Sequence, residues 1–183
     1  MLTKWILLLA LVLPPGYEII SQFDRPCRIP SARLPWKVGT AWRGDLLEQA
    51  VRIWNEAGYG TLFAIEPDLT RCDVVVDWSG AGLPPDKASA TWWDAGLGWK
   101  RVLGITLDGR LPLPEGNHVQ LLTHELGHAL GLDHSAVDED IMAERMHRRR
   151  YRSAPPLTAR DVEALGWLLG QEDWVPIKGA LEP

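Results

Sequence analysis

Residues 124–134 read HELGHALGLDH, and they hold three of the five histidines in the chain. The stretch continues the apolar run HVQLL (118–122) at helical spacing, with Asn117 suited to cap the helix and Gly131 to end it. Residues four apart on a helix share a face. His124 and His128 can therefore aim their ring nitrogens at one ion, the H-E-x-x-H zinc arrangement in which Glu125 is the general base. His134 must approach from another direction, because zinc asks for a roughly tetrahedral site. Gly131 provides the turn, since glycine takes the left-handed conformation at little cost. Three protein ligands leave one coordination position open, as in catalytic rather than structural zinc sites. The fourth ligand would be a water whose pKa falls to about 7 on zinc. Glu125 would take its proton and pass it to the leaving amine, while the metal polarises the scissile carbonyl. Two helical histidines alone are often surface or core residues. Five fixed positions with a turn glycine are much harder to reach by chance.

The rest of the chain suits an enzyme domain of this kind. It has 183 residues, 46% hydrophobic and 23% charged, which describes one globular domain with a real core. A net charge of −5 gives no sign of a nucleic-acid partner. The ten tryptophans form no repeat and read as packing residues. At the N-terminus, MLTKWILLLALVLPPGYE sets Lys4 before an apolar run from Trp5 to Leu13. That is the form of a secretory signal peptide and is too short to span a bilayer. Residues 1–15 are thus expected to be a signal peptide or N-terminal anchor, and the protein secreted or extracytoplasmic without a stable membrane span. Residues 16–34, broken by Pro26 and Pro30, read as a connecting segment, and 35–183 as the catalytic domain. Strands are predicted at 35–42, 61–66, 72–78, 88–93 and 101–108. Helices are predicted at 44–58 (Asp45 as cap), 118–130 and 157–170, the last with Thr158 as cap and Asp161 in a capping box. In an exported chain the pair Cys27 and Cys72 suggests a disulfide, two unrelated buried thiols being the plainer reading.

HExxHxxGxxH, with Met142 eight residues beyond His134 in DIMA (140–143), resembles the zinc signature and methionine turn of the metzincin peptidases. Ser135 after the third histidine resembles the matrixin branch. Trp54 in the first helix, RCDVVVDW (71–78) and LTARDVEALGWLLG (157–170) are similar to matrixin elements, so the resemblance covers about residues 35–170. It implies an α+β fold: a twisted, mixed five-stranded sheet packed on two long helices, plus a C-terminal helix. It also implies a zinc-dependent metalloendopeptidase with one catalytic Zn2+ held by His124, His128 and His134. In that site Glu125 is catalytic, and Met142 and Gly131 give structural support. The substrate would be an extended polypeptide added to the edge strand ASATWW (88–93), and the enzyme a monomer.

The chain also departs from the family. His118 is the only histidine before His124, so the second, structural zinc of animal matrixins is not expected. Calcium could be bound by Asp77, Asp86, Asp94 and Asp108, but these form no ligand spacing and read more plainly as solvated carboxylates. RPCRIP (25–30) is faintly similar to the propeptide cysteine motif, from which Arg28 and Ile29 depart, so a Cys27–Cys72 disulfide is preferred over latency. The basic run from Arg145 to Arg152 matches the wall beyond the scissile bond and reads more plainly as a solvated loop. Two rival functions remain: a zinc peptidase cutting cell-wall cross-link peptides, and a non-catalytic binding module on the same fold.

Overall fold

The computed structural model describes residues 12–180 except 23, 86 and 145–150. Most of the predicted signal run and most of the basic run lie outside these residues.

The five predicted strands form one sheet. They are β4 (Trp36–Thr40), β5 (Phe63–Ile65), β6 (Val74–Asp77), β7 (Ser89–Gly96) and β8 (Trp99–Leu107). Buried Trp36, Val38, Val74 and Val76 alternate with the more exposed Lys37, Val75 and Asp77, the period-2 pattern of a sheet with one face on the core. β5, β4, β6 and β8 run parallel in that order, and β7 lies antiparallel along β8. The sheet is therefore mixed, with β7 at its edge.

Two further short strands and a tail extend it, and a third short strand joins a separate two-stranded sheet. β1 (Tyr17–Ile19), β2 (Ser21–Gln22) and β3 (Arg25–Arg28) arise from the segment expected to lack regular structure, and β10 (Val175–Lys178) follows the last helix. β10 pairs with β8 at Lys100 and Arg101, on the same side as β6, which pairs at Ile105 and Thr106. β10 thus continues the line of β6, and β3 lies beside it. The sheet has eight strands rather than five.

α1 (Gly44–Asn55) buries Leu46, Leu47, Ala50, Val51 and Trp54, one stripe at 3.6-residue spacing. Its cap is not Asp45: the helix begins after Arg43, whose guanidinium pairs with Glu115 at 2.8 Å. α2 (Glu115–Leu130) is buried almost all round, as the central helix of the molecule. It starts two residues before Asn117, which is buried and accepts the Tyr151 N–H through its side chain at 2.8 Å. α3 (Ala159–Leu169) begins with the predicted capping box of Thr158 and Asp161.

Cys27 and Cys72 are free, buried thiols rather than a disulfide. Cys27 is paired with Val175 in the sheet, whereas Asp73, beside Cys72, accepts the N–H of Ala180. Cys72 Sγ instead lies near the main-chain oxygens of Glu66 and Asp68.

Candidate metal centre

α2 delivers His124 and His128 on one face, four residues apart. It stops at Gly131, which takes φ +112°. A Cβ there would also lie 2.1 Å from the Cys27 carbonyl oxygen, so conformation and space both demand glycine. The chain then returns as β9 (Leu132–Ser135), which carries His134 back over the helix. The three imidazole centroids are 4.6, 4.9 and 5.4 Å apart, and one ring nitrogen from each lies within 4.8 Å of the others.

The ring orientations are fixed from behind. His124 Nδ1 lies 2.8 Å from the Ile141 carbonyl oxygen, and His128 Nδ1 lies 2.9 Å from that of Leu132. A carbonyl only accepts, so each Nδ1 carries the proton and each Nε2 keeps its lone pair. Burial, and then the neighbouring His128, push the His124 ring down to about 4, while burial and His128 also lower His134. Both rings are neutral at pH 7, the form that binds metal. Three imidazole nitrogens converging on one point are the donor set of a catalytic zinc site.

Met142 is fully buried beneath the site. A Cβ on Gly127, between the two helical histidines, would meet Met142 Sδ at 2.3 Å, so the methionine lies against the helix where it has no side chain. The turn carrying it is held by Asp161, whose carboxylate accepts the N–H groups of Ile141, Met142 and Thr158 (3.0, 3.3 and 2.8 Å) and the Tyr17 hydroxyl at 2.7 Å. Burial and then Asp161 raise the Tyr17 hydroxyl far above its ordinary value. Ser135 donates to buried Asp140 at 2.5 Å, and Thr158 and Arg160 also donate to it. Trp54 donates from Nε1 to the carbonyl of Thr123 at 2.8 Å, linking α1 to the residue before His124.

Glu125 is 4% exposed, and both carboxylate oxygens have a donor. Ser89 Oγ bonds Oε1 at 2.7 Å, and Thr91 Oγ1 bonds Oε2 at 2.6 Å. Glu125 and the histidines line a cleft of about 1060 Å³ under β7. One wall is the N-terminal segment Glu18–Ser21, held because β1 pairs antiparallel with β9 and Gln22 donates to the Gly96 carbonyl at 2.7 Å.

Among the described residues, the three histidines are the only group of metal-ligating side chains that converges. The expected calcium ligands are engaged locally: Asp77 accepts from Ser79, Asp94 from Ala95 N and Asp108 from Arg110, while Asp86 lies outside the described residues. His118 is buried against Trp78, with ring centroids 6.0 Å apart.

The family model of the matrixins (peptidase M10) matches residues 66–170, more than half of the chain. The chain belongs to the matrixin family. A curated relative, stromelysin-3 of Xenopus laevis, is 26% identical over a 148-residue alignment that covers 75% of this chain and 30% of the relative. The chain thus corresponds to under a third of that matrixin. Family membership and the histidine cluster together support zinc metallopeptidase chemistry. Both the N-terminal wall of the cleft and β10 lie outside the matched region.

The functional residues that sequence reasoning missed are Ser89, Thr91, Tyr17 and the carboxylate role of Asp161 beyond its cap. S-x-T in a strand does put two hydroxyls on one face. Which face meets α2 depends on the sheet.

Proposed function

We propose that this matrixin is a zinc-dependent metalloendopeptidase that cuts extended polypeptides, with His124, His128 and His134 as metal ligands and Glu125 as general base. The observation that carries this reading is the pairing of three convergent imidazoles with a carboxylate in one cleft under an open strand edge. Zinc bound there would lower the pKa of a water molecule and polarise a carbonyl oxygen. Glu125 takes a proton from water and returns it to the departing amine. β7 pairs only with β8 among the described residues, and its free edge offers main-chain groups to a substrate strand. Met142 and Gly131 hold the histidines in place. The apolar N-terminal run supports export, and no described helix is long and apolar enough to cross a membrane.

The test pairs zinc content with casein cleavage for the full chain and for Glu125→Ala. Both proteins should bind one zinc, only the wild type should cut, and a chelator should abolish cutting until zinc is restored. Zinc binding with intact casein but cleaved muropeptides would move the assignment to cell-wall cross-links. Zinc binding with neither cleaved would point to a binding module.

A further inference from the structure

The metallopeptidase reading assigns a base but does not explain what aims it. A glutamate side chain has several free rotors and gives up that freedom when held in one pose, so something must hold Glu125. Its carboxylate bonds two hydroxyls on one strand, Ser89 to Oε1 at 2.7 Å and Thr91 to Oε2 at 2.6 Å. Each is a charge-assisted hydrogen bond, about twice as strong as a neutral one. A carboxylate oxygen has two lone-pair sites, so one donor on each leaves both oxygens able to accept from water.

The same two residues face the cleft with their backbone. Ala88 and Asp108 are bonded across β7 and β8, the Asp108 N–H donating to the Ala88 carbonyl at 2.9 Å. In an antiparallel pair, bonded and non-bonded positions alternate. In this register Ala90, opposite Thr106, is a bonded position, whereas Ser89 (opposite Leu107) and Thr91 (opposite Ile105) are not. Their N–H and C=O groups therefore point away from β8, toward the open edge.

Building on the peptidase reading, we propose that Ser89 and Thr91 are positioning residues that clamp Glu125 and tie the base to the strand edge that seats the substrate. A peptide that pairs with their main chain then sits in register with the carboxylate their side chains hold. The rival reading is that the hydroxyls merely satisfy a buried charge.

The test uses the zinc-loaded full chain with Ser89→Ala, Thr91→Val, the double variant and Thr91→Ser, assayed on fluorescent casein. The double variant should lose roughly 10–100-fold in kcat, the usual cost of removing the hydrogen bonds that orient a site residue, with KM within about twofold and unchanged zinc content. Thr91→Ser should keep most of the activity. A second readout needs no metal: in zinc-free protein the double variant should lower Tm by roughly 5 °C or more, and this penalty should largely vanish in the Glu125→Ala background. An unchanged kcat at full zinc content, an equal Tm penalty in both backgrounds, or Thr91→Ser as impaired as Thr91→Val would each overturn the clamp. A wild type that leaves casein intact would overturn the peptidase reading instead, and the zinc-free cycle would still decide whether the two hydroxyls hold Glu125.

Discussion

Gly127 occupies a position that the zinc motif leaves open, yet it is among the most constrained in the chain. A Cβ there would sit 2.3 Å from Met142 Sδ and 2.9 Å from a ring carbon of Trp54. Gly127→Ala should gain about 1 kcal/mol in helix propensity but lose about 1–3 kcal/mol to overpacking. Calorimetry should show a lower Tm, and zinc titration a weaker site, since Met142 and the helix between His124 and His128 must separate. Tyr17 is the second residue of interest. Its hydroxyl is one of the donors holding buried Asp161 and fastens the N-terminal segment to the methionine turn. Tyr17→Phe should cost about 1–3 kcal/mol in urea unfolding, because a buried carboxylate loses a partner.

The terminal strands work as parts of the domain. β10 places Val175 and Ile177, each 1% exposed, in the core between β3 and β8. A chain ended at residue 170, where the family match stops, should lose about 3–6 kcal/mol for those two side chains alone. Starting the chain at residue 31 should be as harmful, since it removes buried Tyr17, Ile20, Cys27 and Ile29 and one wall of the cleft. Both truncations should appear as lower yield of soluble protein and a lower Tm than the full chain. A truncation that kept the full Tm would show that the annex is an accessory. These strands are only 2–4 residues long and two of them contain proline. No alternation of apolar and polar residues marks so short a run, so nothing in the local sequence separates them from loop.

For the whole molecule, the buried histidines couple stability to pH. Burial lowers the His124 ring from its ordinary 6.5 to about 4 and lowers His134 as well. Between those values the unfolded chain binds more protons than the folded one, so acid favours unfolding. Zinc-free protein should therefore be most stable above about pH 6.5 and lose Tm steadily toward pH 4. Loss of Tm on raising the pH through that window would contradict the burial of these rings. Zinc should flatten the dependence only while it stays bound, because protons and metal compete for the same lone pairs.

In the sequence alone, strong periodicity marks the main elements and strict spacing marks the candidate metal ligands. The five main strands, the three helices, the Thr158–Asp161 box and the histidine–glutamate set were all legible, because each rests on residues within one or two turns or on a period repeated several times. Helix starts were less so: Arg43 and Pro114, not Asp45 and Asn117, precede the first two helices, and the Asn117 side chain is taken up by the Tyr151 N–H. Only the tertiary structure decided that residues 16–28 wall the cleft, that Cys27 and Cys72 stay apart, and that Ser89 and Thr91 meet Glu125. In each case the deciding contact joins positions far apart along the chain, from Ser89 to Glu125 to Tyr17 with Asp161. Such contacts leave no local period to read, and they exist only once α2 has been set against the sheet.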